Sequence, residues 1–103
     1  MDNRDQDKVV AWLERLADQS GWNTDVWQKC HDLVTANLDN ELLEYVFDDV
    51  IHYNGEFHSR NILGISVNSS RLQLEQYRLE FRDIAAALRS GLSLIEARNK
   101  YGL

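Results

Sequence analysis

An all-α bundle of four or five helices is the fold this sequence predicts, and three observations carry it. Proline is absent from all 103 residues, which removes the strongest helix breaker. Apolar residues recur at three- and four-residue spacing through most of the chain. Short polar breaks rich in Ser, Thr, Asn, Asp and Gly separate those runs, and these are the residues that start and stop helices. The length fits a single helical domain, residues 1–103. An apolar share of 44% against 27% charged residues is enough for one core and excludes a disordered chain.

The first run spans residues 5–19, with Val9, Val10, Leu13, Leu16 and Ala17 at helical spacing and Ser20-Gly21 as its stop. Thr24 or Asn23 caps the second. Its Val26, Trp27, Cys30, Leu33, Val34 and Leu38 fall within about 140° of one another around the helix. Asp39 or Asn40 caps the third, whose inner face is Leu42, Leu43, Val46, Phe47, Val50 and Tyr53. Asn54-Gly55 is a strong turn dipeptide, so an irregular loop is expected at about 54–68, anchored by Ile62, Leu63, Ile65 and Val67. Leu63, Ile65 and Val67 alternate like a short strand, but with no second strand to pair, an extended loop packed on the bundle is the reading. Ser70-Arg71-Leu72-Gln73 is a capping-box pattern and opens the longest helix, which ends at Ser90 before Gly91. Leu74, Tyr77, Phe81, Ile84, Ala85 and Leu88 share about 100° of that helix. Ser93-Leu94-Ile95-Glu96 repeats the capping box for a last short helix ending at Gly102.

Charge is divided unevenly. Thirteen of the seventeen acidic residues precede His58, where only Arg4, Lys8, Arg15 and Lys29 oppose them, a net −9. From His58 onward seven basic residues face four acids, a net +3. Such segregation attracts a basic partner and disfavours direct contact with nucleic acid. The acidic, polar start is not a signal peptide, and no segment nears the roughly 18–20 apolar residues of a membrane span, so a cytoplasmic address is expected. Cys30 is the only cysteine, which excludes an internal disulfide and a cysteine-based zinc site.

The third helix concentrates the charge. Measured from Glu41, the residues Glu44, Tyr45, Asp48, Asp49 and His52 lie between about −60° and +80°, opposite the apolar face, and Asp39 and Glu56 extend the strip. Glu41–Glu44 and Glu44–Asp48 are like-charged neighbours that cost a few tenths of a kcal/mol each, and no Lys or Arg on this helix relieves them. The strip is the candidate partner-binding face, with Tyr45 as a favoured interface anchor; the alternatives are a solvated face and internal docking against the basic long helix. On the long helix Arg71, Arg78, Arg82 and Arg89 fall within about 40° of each other, a stripe that suits carboxylate or phosphate recognition. Pairing with carboxylates of neighbouring helices is the favoured reading of it. Leu72, Leu79 and Ala86 form an apolar row outside the core face, covered by the chain's own end or serving as a homodimer seam.

Catalytic and metal chemistry finds little support. Asp48, His52, Glu56 and His58 are the only cluster resembling a hydrolytic or metal site, yet they lack HExxH spacing. Cys30 and His31 are adjacent on a helix and so point about 100° apart, and Cys30 reads as a small buried apolar residue. Ser66, Ser69 and Ser70 have no nearby base, and Asn61-Ile62-Leu63-Gly64 lacks the glycines and lysine of a phosphate loop. Trp22 and Trp27 read as core, Trp12 as half exposed.

In size, charge and the Asp39–Tyr53 strip of Glu41, Glu44, Tyr45, Asp48 and Asp49, the first half of the chain resembles the small acidic bacterial immunity proteins that neutralise toxic nucleases. Those proteins are compact and helical, and they cover a toxin whose active site is basic because it must bind phosphate. The resemblance implies a non-enzymatic inhibitor without a cofactor, its carboxylates and Tyr45 standing where the phosphates and bases of nucleic acid would lie. The alternatives are a dimeric regulatory or adaptor module using the Leu72, Leu79 and Ala86 seam, and a small metal-dependent hydrolase.

Overall fold

A computed structural model describes residues 1–18, 23–63 and 67–103, with side chains for all of these except 55–63 and 67–73. Five helices follow one another: α1 (Asn3–Asp18), α2 (Thr24–Thr35), α3 (Glu41–Leu63), α4 (Val67–Arg89) and α5 (Leu94–Tyr101). Among the described residues there is no strand, and no helix is long and apolar enough to cross a membrane.

The helix ends are set locally, by side chains that satisfy the unpaired first-turn N–H groups. Asp2 accepts from the amide of Asp5 at 2.8 Å and so begins α1 slightly before the expected residue 5. Asn23, rather than Thr24, caps α2, accepting from Asp25 and Val26 at 3.0 and 3.2 Å. Asn40, rather than Asp39, does the same for α3 through Leu42 and Leu43 at 2.9 and 3.4 Å. At the end of α4, Gly91 takes a left-handed φ of 67°. There the amides of Leu92 and Gly91 close back on the carbonyls of Ala87 and Leu88, a Schellman ending that glycine adopts without steric cost. The expected capping box forms at α5, with Ser93 and Glu96 each bonding the other's backbone amide.

The core is the apolar stripe of each amphipathic helix turned inward. Leu13 and Leu16 of α1, Val34 of α2, Leu43, Val46, Val50 and Tyr53 of α3, and Phe81 and Ile84 of α4 are all fully buried. α4 packs most extensively on α1 and next on α3, while α2 fills the space between α1 and α3. Tyr53 anchors the centre: its ring meets Phe81 edge-on at 5.3 Å and Tyr77 at 6.3 Å. Its hydroxyl accepts a hydrogen bond from Arg78 Nε at 3.3 Å, which satisfies a polar tip that burial would otherwise strand. Trp27 packs against the same core and donates its indole N–H to the carbonyl of Val50 at 2.8 Å.

The expected loop at 54–68 is a correction. α3 continues as helix through Asn54-Gly55 to Leu63, and α4 begins at Val67, three residues before the anticipated Ser70. A glycine inside a helix costs only about 1 kcal/mol relative to alanine, and without a proline nothing else in the segment forces an end. The Ser70–Gln73 capping box falls outside the described side chains, as does Trp22.

Leu43, with no exposed surface, and Leu79, 55% exposed, separate core from surface. Leu43→Ala should lower unfolding free energy by about 2–5 kcal/mol, and Leu79→Ala should stay within about 0.5 kcal/mol of the parent. Urea denaturation measures both, and equal losses would contradict this division.

Candidate functional site

The helical period of α4 decides which charges meet. Its apolar stripe faces α1 and α3, so the residues flanking that stripe on its two sides lean toward different neighbours. On one side Arg82 donates to Asp18 at 2.9 Å and to the carbonyl of Ala17 at 3.5 Å, at the C-terminus of α1. Arg89 pairs with Glu14 of α1, one contact lying at 3.1 Å. With Arg78 on the Tyr53 hydroxyl, three of the four arginines of the stripe serve the protein's own structure; the side chain of Arg71 lies outside the described residues. Arg82 and Arg89 therefore pair with α1 and not with the acidic strip of α3.

On the other side, Glu80 and Asp83 of α4 face α3. Two adjoining depressions result, with Asp49 in the wall of both. The first, of about 580 Å³, lies between α3 and α5 and is lined by Glu41, Glu44, Tyr45, Asp48 and Asp49 with Leu94 and Arg98. The second, of about 480 Å³, is bounded by Asp49, Tyr77, Leu79, Glu80 and Asp83 together with Gln76 and residues 101–103. Tyr45 lines the first, its hydroxyl donating to Glu80 Oε1 of the second at 3.4 Å and its ring facing the Arg98 guanidinium at 5.5 Å.

Proton affinity follows from this crowding. The Asp49 carboxyl is pushed up to about 8, first by burial, then by its hydrogen bond to Glu80 and by the negative charges of Glu80 and Asp48. Asp83 is raised by burial and by Glu80. Burial and the adjacent carboxylates Glu80 and Asp49 raise Tyr45, with Arg98 opposing them. A protonated Asp49 donates to Glu80 and holds α3 against α4; once Asp49 loses that proton, the contact becomes repulsive.

Five of the eight expected partner-binding residues line the first depression: Glu41, Glu44, Tyr45, Asp48 and Asp49. Glu41 also has an internal task, accepting the amide of Leu94 at 2.7 Å at the start of α5. Asp39 is exposed but lies outside the groove, and so does His52. The side chains of Glu56 and His58 fall outside the described residues. Glu80 and Asp83 were not anticipated. Their signal was an i,i+3 pair on the side of α4 opposite the arginines, but the sequence did not reveal that this side would meet α3. Cys30 is buried, its thiol pushed up to about 12 by that burial, and His31 stacks on Trp27 at 4.9 Å, so the adjacent thiol and imidazole do not form a reactive pair. Trp12 is half buried beneath the Arg15 guanidinium, 4.4 Å from its ring. Among the described residues no group of three or more His, Cys, Asp or Glu side chains is arranged to hold a metal ion.

No protein-family model matches the sequence, and neither curated proteins nor solved structures show a similarity to it. The groove therefore has to be interpreted from its own chemistry.

Because Asp49 binds its proton more tightly folded than unfolded, its contribution to stability is fully present below about pH 4 and is lost as pH rises toward about 8. Asp49→Asn keeps a donor to Glu80 without the charge. The variant should melt several degrees above the parent at pH 8.5 and within a degree of it at pH 4, as rough magnitudes. An equal offset at both values would show that Asp49 carries no such linkage.

Proposed function

We propose that this chain is a non-enzymatic, cytoplasmic binding protein whose acidic groove receives a basic protein partner. The observation that carries the reading is the meeting of Glu44, Asp48, Asp49, Glu80 and Asp83 around Tyr45, while the α4 arginines Arg82 and Arg89 are committed to α1. Carboxylates pressed together lower stability at neutral pH, and a ligand that supplies the missing positive charge relieves that repulsion. A half-buried tyrosine among them adds apolar contact area and a hydroxyl, the usual make-up of an interface anchor.

The partner class that best suits this surface is a bacterial nuclease toxin, with the chain as its immunity protein. A nuclease cleft is basic because it binds phosphate, and a protein presenting spaced carboxylates beside an aromatic ring can occupy it in place of nucleic acid. The 12.0 kDa size and the pI near 4.9 suit that role. Steered by opposite charge, association should be fast and should slow as salt is added.

A second reading has one observation in its favour. Leu79 is 55% exposed beside Tyr77 in the second depression, and with Ala86 it continues the apolar row that could serve as a dimer seam. Sedimentation velocity distinguishes the two: a monomer at about 100 μM protein, well above ordinary dimer dissociation constants, removes the seam.

The direct test is titration against a basic nuclease toxin, the first choice being the product of the neighbouring upstream gene where that product is basic. A one-to-one complex is expected, weakening as salt rises, with inhibition of any nuclease activity. Replacing Tyr45, Asp48 and Asp49 together by Ala should abolish the complex while circular dichroism retains the helical signal. Native affinity in that triple variant would reject the groove as the binding face.

A further inference from the structure

Among the described residues, Arg98 is the only basic one lining either depression. Its guanidinium rests over the face of Tyr45, 5.5 Å from the ring centroid. Although Glu44, Asp48 and Asp49 line the same groove, Arg98 forms no ion pair with a carboxylate among the described residues; the close pairs of arginine belong to Arg82 and Arg89. The residue is exposed, and it is carried on the shortest helix, eight residues long. That helix is tied down by buried Ala97 and by the Leu94 amide on Glu41. A cation already occupies the aromatic platform of an acidic groove, held weakly enough to leave it.

We propose that the groove is built for an arginine side chain of the partner, and that Arg98 is an intramolecular stand-in that must leave Tyr45 before the partner's arginine can enter. The inference rests on the groove being the partner site and specifies the ligand group it takes. Arginine fits better than lysine for geometric reasons. A planar guanidinium can stack on the tyrosine face and still direct its N–H fork at the edge carboxylates, whereas an ammonium is a strongly hydrated point charge. Reaching in from α5, Arg98 attains the ring but not the carboxylates. An arginine arriving from solvent can engage both, so it displaces the stand-in. Arg98 thereby shields the groove in the free protein and raises the threshold for non-specific cations.

The test compares fluorescently labelled hexa-arginine and hexalysine by anisotropy on the full chain, because the ratio of the two affinities cancels the change in net charge. In the parent, with the ring face occupied, the two peptides should bind within about twofold of each other. Arg98→Gln should strengthen hexa-arginine about five- to tenfold more than hexalysine, an order-of-magnitude figure for gaining one aromatic stack. Adding Tyr45→Leu to that variant, which keeps apolar bulk but removes the platform, should return the ratio to the parental value. If Arg98→Gln strengthens both peptides equally, Arg98 acts through charge alone and the stand-in is refuted, while the acidic groove remains a cation-binding face. If neither peptide binds the parent or the variant at low salt, both this inference and the groove as a site for basic partners fail.

Discussion

The orientation of α4 about its own axis is the constraint on which the rest of the molecule depends. Phe81, Ile84 and the other buried residues of its apolar stripe lock against Leu13, Leu16, Val50 and Tyr53, and that seam admits only one rotation of the helix. Burying each large side chain is worth roughly 1.5–3 kcal/mol, whereas an exposed ion pair contributes about 0–1 kcal/mol. The apolar seam therefore sets the rotation, and the charged residues on either side of it take whatever neighbours follow. Arg82 and Arg89 find Asp18 and Glu14 on α1. Glu80 finds Tyr45 and Asp49 on α3.

The outcome is an asymmetric distribution of electrostatic strain. On the α1–α4 side Arg82 and Arg89 pair with Asp18 and Glu14, exposed contacts of small individual worth. The α3–α4 side leaves carboxylates facing one another, tolerable at neutral pH because Asp49 retains a proton well above the ordinary carboxylate range. Arg98 offsets part of the negative field at Tyr45. A fold optimised for stability alone would exchange one carboxylate at the Asp49–Glu80 contact for an amide or a lysine. Keeping both carboxylates makes sense if a positively charged group from outside completes the arrangement.

Features that depend on nearest neighbours in the chain were legible from the sequence. Asn23, Asn40 and the Ser93–Glu96 box act within three residues of where they stand. The clustering of Glu44, Tyr45, Asp48 and Asp49 follows from the helical repeat, and the buried state of Cys30 from its apolar neighbours. Features set by distant partners were not legible. Glu41 bonds a backbone amide 53 residues away, and the approach of Glu80 to α3 depends on how two helices cross. Asn54-Gly55 misled for a different reason: its turn preference is a local bias of about 1 kcal/mol, too small to end a helix by itself.

The central claim is that α3 and α4 face each other through the Asp49 and Glu80 carboxylates, which form no ion pair with a Lys or Arg among the described residues, and carboxyl-carbon NMR titration of Asp49 tests it most directly. The account requires the Asp49 resonance to titrate near pH 8. It also requires Glu80→Gln to move that midpoint down, because a neighbouring negative charge is removed. A midpoint near pH 4 in the parent, unchanged in Glu80→Gln, would mean the two carboxylates do not meet, and the groove described here would lose its foundation.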